Sequence, residues 1–277
     1  LDAGVDRRNV RPMAICPHIS PEDPSFPGDA SPQPFFGLRD SLRSLALWGI
    51  GVPHLAAWTA FVIAASKVTD LRNVDGAVKL MARAVPALAG VRIRVKGQEL
   101  LTSGQACVYV VNHVNIFDMF AIYRAIPGYT RSLEHASHFA WPVFGAFITA
   151  AGQIPVDPAD AKVTARGLLT AARMLAEGTS IVVLPEGERT LDGSVGRFYP
   201  GAFRLAIKAG VPVVPMAIHG GRTVSRRGDW RIRPGRMTAV FEPPIPTSGM
   251  TLADVERLSD QARNAIIAAL QRETSHR

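Results

Sequence analysis

Two short polar segments carry the side chains best suited to chemistry. The first runs Val110-Val111-Asn112-His113-Val114-Asn115-Ile116-Phe117-Asp118, from an apolar strand into the start of a helix. A histidine held by a carboxylate is a good general base, because the carboxylate fixes the imidazole tautomer and stabilises the imidazolium formed when a proton is taken. On a regular helix two residues five apart point about 140° away from each other, at roughly 100° per residue. His113 and Asp118 therefore meet only if His113 lies in a loop and the helix begins after it. Asn115 supplies an N-cap with Asp118 three residues on, so that geometry is locally encoded. Taken alone, a capping acid and a satisfied loop histidine explain the pair as well.

The second segment is Leu184-Pro185-Glu186-Gly187-Glu188-Arg189-Thr190, again at the end of an apolar run. Gly187 lets the backbone approach a ligand closely, and Arg189 offers a planar, permanently charged fork suited to a phosphate. A buried Glu186 would orient that arginine or a hydroxyl; the bland alternative is a surface turn with a weak ion pair. The chain has no G-x-S-x-G elbow, so an acyl-enzyme on serine is not suggested, and it has neither a Walker loop nor a dinucleotide fingerprint. His135 and His138 are three apart with no third ligand nearby, so no metal is expected.

The elements that must position these residues follow from periodicity. β-rich runs fall at 91–95, 107–111, 130–133, 153–156, 181–184, 211–218 and 237–241, with helical patterns at 116–126, 141–151, 161–177, 201–209 and 251–272. This alternation predicts an α/β domain over residues 91–277 with a mostly parallel core sheet flanked by helices, and open sheets of that kind place their sites at strand ends. Residues 1–37 hold seven prolines and little apolar periodicity, which predicts an extended arm. Residues 38–90 read as a membrane-binding helical hairpin. Its first half has no charge between Arg43 and Lys67 but is interrupted by Gly49, Gly51, Pro53 and His54, which suits a kinked or leaflet-embedded helix better than a clean span. Its second half, 72–89, is amphipathic. A buried core helix is the alternative for the first, and two ordinary helices covering a sheet for the pair.

The 277 residues carry 31 Lys and Arg against 23 Asp and Glu, a formal charge of +8, with 47% hydrophobic and only 19% charged residues. This excludes a disordered acidic protein and points to an anionic surface or substrate. Cys16 and Cys107 lie far apart without metal-ligand spacing, so no disulfide framework or redox role is expected. Residues 222–236 hold Arg222, Arg226, Arg227, Arg231, Arg233 and Arg236 against a single Asp229. With one interleaved aromatic and no nucleic-acid motif, nucleic acid is not the expected partner. An anionic membrane surface fits better once the apolar hairpin supplies a second attachment signal.

The two polar segments, in this order, resemble the glycerolipid acyltransferase family, whose best-known bacterial activity is lysophosphatidic acid acylation. Asn112, His113 and Asp118 match its N-H-x-x-x-x-D motif; Pro185, Glu186, Gly187 and Arg189 match its P-E-G-x-R motif. Val211, Pro212, Val214 and Pro215 match a V-P-x-V-P strand, and a further motif is partly present at Gly152, Ile154, Val156 and Asp157. Pro158 stands where that motif usually has arginine, Asn115 replaces a serine, His135 a common lysine and Pro200 a basic residue. The resemblance implies a membrane enzyme in which His113, paired with Asp118, deprotonates the free hydroxyl of a lysophospholipid, 1-acylglycerol-3-phosphate first of all. Attack on an acyl thioester, acyl-CoA or acyl carrier protein, then gives phosphatidic acid without a cofactor. It implies substrate binding by Asn112, Glu186, Gly187, Arg189 and Thr190, and a monotopic seat on the cytoplasmic face of the cell membrane. Another lysolipid acceptor, a non-catalytic membrane-binding protein on the same scaffold, and a metal-dependent hydrolase using His113 and Asp118 as ligands are the rival readings.

Overall fold

The structure, a computed structural model, describes residues 37–275; the expected proline-rich arm falls, but for Gly37, outside them. Seven strands form one sheet: β1 (Val91–Lys96), β2 (Val108–Val111), β3 (Thr130–His135), β4 (Ile154–Val156), β5 (Ser180–Val183), β6 (Val213–His219) and β7 (Gly235–Phe241). Their order is β1-β7-β6-β2-β5-β3-β4. Every neighbouring pair is parallel except β6 with β7. The expected α/β architecture and all seven expected strands are present. β2 and β5 are continuous apolar runs because both of their faces are covered.

Strand direction decides where chemistry can gather. β2, β3, β4, β5 and β6 point the same way, so the segments that follow them emerge on one edge. Because β7 runs against β6 and β1 runs with β7, the first residues of β1 and β7 start at that same edge.

Helices cover both faces. Helix α3 (Asp118–Ala125) and helix α2 (Asp75–Leu88) pack over Val91, Tyr109, Val111, Met216 and Met237. Helices α5 (Ala161–Ala176), α6 (Gly201–Ala209) and α8 (Val255–Ser275) close the other face around Val110, Phe203 and Ile266. Helix α4 (Phe144–Ala150) lies in the crossover from β3 to β4, and the one-turn α7 (Gly221–Val224) follows β6.

The uncharged stretch becomes one helix, α1 (Leu38–Ser66), with Pro53 inside it, despite its glycine and proline interruptions. It is long and apolar enough to cross a membrane, and only 11% of its most apolar 18-residue window is buried. That overturns the core-helix alternative. Leu42, Leu45, Ile50, Val52 and Phe61 face outward. Ser44, Thr59, Val62 and Ala65 face the body. Near its start, Ser44 Oγ accepts from Ile232 N at 2.8 Å, Trp48 Nε1 donates to Trp230 O at 2.7 Å and Asp40 pairs with Arg233 at 2.9 Å. Near its end, Val62 packs with Met81, Phe147, Ile148 and Ala151. α1 is thus held to the body at both ends. α2 packs on α3 and β1, so the second arm of the expected hairpin is also a covering helix of the α/β body.

Candidate active site

His113 leaves the end of β2 in the loop conformation that the five-residue spacing requires. Its Nδ1 lies 2.8 Å from Asp118 Oδ2. The same oxygen accepts from the backbone N–H groups of Val114 (2.5 Å) and Asn115 (2.9 Å). Three donors on one carboxylate oxygen hold Asp118 in place with no exposure to solvent. Asn115 is not the N-cap, because α3 begins at Asp118 with Phe117 at its cap; its Oδ1 instead accepts from Phe117 N at 2.8 Å and fixes the turn that leads into the helix. With Nδ1–H donating to the carboxylate, the imidazole presents the lone pair of Nε2, and the ring remains 27% exposed. A base oriented by a buried acid and open to solvent is what a proton-abstracting site needs.

The second segment lies at the end of β5, the strand beside β2. Glu186 does not orient Arg189. Its Oε1 accepts from His113 N at 2.8 Å and its Oε2 from Gly196 N at 2.8 Å, so it ties the His113 loop to the turn. Burial pushes its carboxyl up to about 7, against the pull of those two N–H groups and of His113. Thr190 N donates to His113 O at 2.8 Å, a second tie. The Thr190 hydroxyl is spent inside its own turn, between Asp192 Oδ1 and Gly193 N. Gly187 has φ of +75°, and a Cβ there would lie 2.7 Å from the Tyr199 ring. Only glycine fits that turn without strain.

Two residues expected to bind substrate, Asn112 and Thr190, are also structural ties. Asn112 is buried, donates Nδ2 to Ile218 O (3.1 Å) and accepts from Ile218 N (2.7 Å). Its amide clasps β6 like an added rung of the sheet, spending one N–H and one lone pair there. Thr190 likewise braces the loop. The Arg189 guanidinium makes no hydrogen bond or ion pair among the described residues, while its carbonyl accepts from Arg227 Nη1 at 2.8 Å. Sequence reasoning missed Gly196, Tyr199 and Gly221, the last of which takes Asn115 Nδ2 on its carbonyl at 2.6 Å. Their contributions come from backbone atoms and packing, which residue type does not announce.

Further along the same edge, His135 Nε2 lies 3.7 Å from Asp157 and His138 Nδ1 lies 3.3 Å from Glu134. Among the described residues no group of three or more His, Cys, Asp or Glu is placed to hold a metal ion. Under α1 a cavity opens between α2, α3, α4 and β3, lined by Val62, Met81, Met119, Phe120, Phe147 and Ile148. Met119 and Phe120 follow Asp118 in α3, but neither Asp118 nor His113 lines the cavity.

The arginine run is mostly not a free cationic face. Arg222 donates to the carbonyls of Leu191 and Asp192, Arg227 pairs with Glu188, Arg231 with Asp229 and Arg233 with Asp40. These residues stitch the loop after β6 to the turn after β5 and to α1.

The sheet edge thus brings together an acid-oriented histidine, a glycine turn and an arginine whose guanidinium has no partner among the described residues. The family model described as Acyltransferase matches residues 92–219, from β1 to the last residue of β6. Among curated relatives, a 1-acyl-sn-glycerol-3-phosphate acyltransferase of Limnanthes douglasii is 28% identical over 216 residues, covering 78% of this chain and 73% of its own. One of the same description from Chlamydomonas reinhardtii is 29% identical over 181 residues, and the chain spans about half of its length, 53%. The crystal structure of the 1-acyl-sn-glycerophosphate acyltransferase PlsC from Thermotoga maritima superposes with a TM-score of 0.69 at 21% identity, covering 82% of this chain and 95% of that one. It shares the fold.

Proposed function

We propose that this chain transfers a fatty acyl group from a thioester donor, acyl-CoA or acyl carrier protein, to the free hydroxyl of a lysophospholipid, with 1-acylglycerol-3-phosphate as the first acceptor to test. The observation that carries the reading is the 2.8 Å contact between His113 Nδ1 and a buried Asp118 in a ring left open at Nε2. The acceptor hydroxyl gives its proton to His113 Nε2 as its oxygen attacks the thioester carbonyl. Collapse of the tetrahedral intermediate breaks the carbon–sulfur bond, and the imidazolium returns the proton to the leaving thiolate. The products are the ester, phosphatidic acid for that acceptor, and the free thiol. Asp118 stabilises the imidazolium between the two proton transfers. Arg189 is the cation for the acceptor's phosphate, one strand from the base. The cavity under α1, with Val62, Met81, Phe120, Phe147 and Ile148 on its walls, suits an acyl chain. The names of the relatives support the same substrate class.

α1 gives this chemistry its location. Its 29 residues are about 43 Å long at 1.5 Å per residue, yet both of its ends are held to the body. A helix so fastened, with its apolar side outward, favours lying in one leaflet over crossing alone. In this reading the protein sits monotopically on the cytoplasmic face of the membrane, where thioester donors are made. Incubating the full chain with acyl-CoA or acyl carrier protein and a lysolipid panel, and identifying products by mass spectrometry, tests the function. Acylated lysophospholipid is the expected product, and its absence with every donor and acceptor would overturn the reading.

A further inference from the structure

β1 carries a charged stripe that the reaction does not use. Its sequence VRIRVK buries Val91 and Ile93 and exposes Arg92, Arg94 and Lys96 on the opposite face. Arg236 of β7 is the register partner of Arg92 and is also exposed. Neighbouring strands lie about 4.8 Å apart, and like charges directly opposite each other destabilise a sheet. Lys96, at the far end of β1, is neutralised by Glu273 at 2.6 Å. Arg92, Arg94 and Arg236 make no ion pair or side-chain hydrogen bond among the described residues. Their guanidinium groups therefore await an anion from outside. The two in register are each the second residue of their strand, so they stand at the edge where His113 emerges.

That position adjoins α1. Arg43 reaches from the helix to Ala89 O at 3.0 Å, and Asp40, the acid in its first turn, is engaged by Arg233. The stripe thus begins close to the first turns of α1, where Leu38 and Leu42 are exposed. Apolar burial beside cations is the pairing of signals that fastens a protein to an anionic membrane. We infer that Arg92, Arg94 and Arg236 form a seat for the headgroups of anionic phospholipids, which turns the sheet edge bearing His113 toward the bilayer. This rests on the membrane-surface reading above and names the lipid chemistry that it requires. The partner is a lipid surface because the stripe continues an exposed apolar helix; an acidic carrier protein is the competing occupant.

Vesicle co-sedimentation of the full chain separates these. Phosphatidylcholine vesicles containing one-third phosphatidylglycerol should bind far more tightly than pure phosphatidylcholine, with the difference lost near 1 M salt, where the Debye length is about 3 Å. The double variant Arg92→Gln/Arg236→Gln should bind the anionic vesicles roughly 25-fold more weakly, about fivefold per arginine or about 1 kcal/mol each. Its binding to zwitterionic vesicles and its acyl transfer in detergent micelles should be unchanged. Arg166→Gln, on exposed α5 beside the opposite edge strand, is the control and should bind as the wild type. Equal binding to both vesicle types overturns the inference. So does an undiminished double variant, or a loss confined to turnover with an acidic carrier protein. Failure of acyl transfer by the wild type in micelles would instead sink the proposed reaction, whatever the vesicles show.

Discussion

Asp118 spends one oxygen on three donors, and that economy sets how the base fails. In Asp118→Asn an amide cannot accept from His113, Val114 and Asn115 at once, so the ring loses its tautomer lock and its counter-charge. We expect turnover to fall by about 100- to 10,000-fold in steady-state assays, the range of a general base, with acceptor KM nearly constant. Glu186 makes a different prediction. Its carboxyl rises in the folded chain from the ordinary 4.5 to about 7, so the folded state holds a proton that the unfolded state gives up. The associated stability is complete below about pH 4.5 and disappears as pH rises through 7, about 3 kcal/mol in all. Urea unfolding between pH 4 and pH 8 should show this slope in the wild type and a flatter one in Glu186→Gln. Identical slopes would contradict the buried-acid account. At this scale the sequence told the base and its acid apart from their neighbours, because a five-residue spacing across a helix start has few geometric solutions. It did not show the structural ties of Asn112 and Thr190, whose partners Ile218 and His113 are fixed by strand pairing and loop closure rather than by residue type.

The turn after β5 and helix α1 are the elements on which the site depends. In Gly187→Ala the left-handed φ of +75° and the Tyr199 ring at 2.7 Å both oppose a methyl group. Stability should drop by about 1–3 kcal/mol, and activity should drop further than stability, because the loop of His113 hangs on Glu186. Thermal unfolding and acyl-transfer assays on the same preparation check this. Ser44→Ala leaves Ile232 N–H buried without an acceptor, a loss of about 1–3 kcal/mol. Limited proteolysis should then cut first near the start of α1, with the α/β body intact. The strands were legible because fully covered parallel strands read as apolar runs bounded by loops. The course of α1 was not. Its glycines and proline argued for interruption, while the docking of Ser44 and Val62 onto the body holds one continuous helix.

At the scale of the molecule, the excess of cations has two destinations that the sequence could not separate. Arg222, Arg227, Arg231 and Arg233 lie close together in the chain and look like a patch, yet they are the internal ties of a long loop. The exposed stripe joins Arg236 to Arg92 and Arg94, about 140 residues away, and only the parallel pairing of β1 with β7 brings them together. The same edge bears the base, the uncommitted Arg189 and the first residues of β1 and β7. A bilayer laid against α1 would therefore meet substrate, base and headgroup cations together. The account stands or falls on the base. The most direct test is the rate of acyl transfer to lysophosphatidate, and to the other acceptors that prove active, by wild type and His113→Ala. Both proteins should be verified as folded by thermal unfolding. The account predicts phosphatidic acid from the wild type and a loss of at least about 100-fold in His113→Ala with an unchanged fold. Transfer by the alanine variant at the wild-type rate would contradict it.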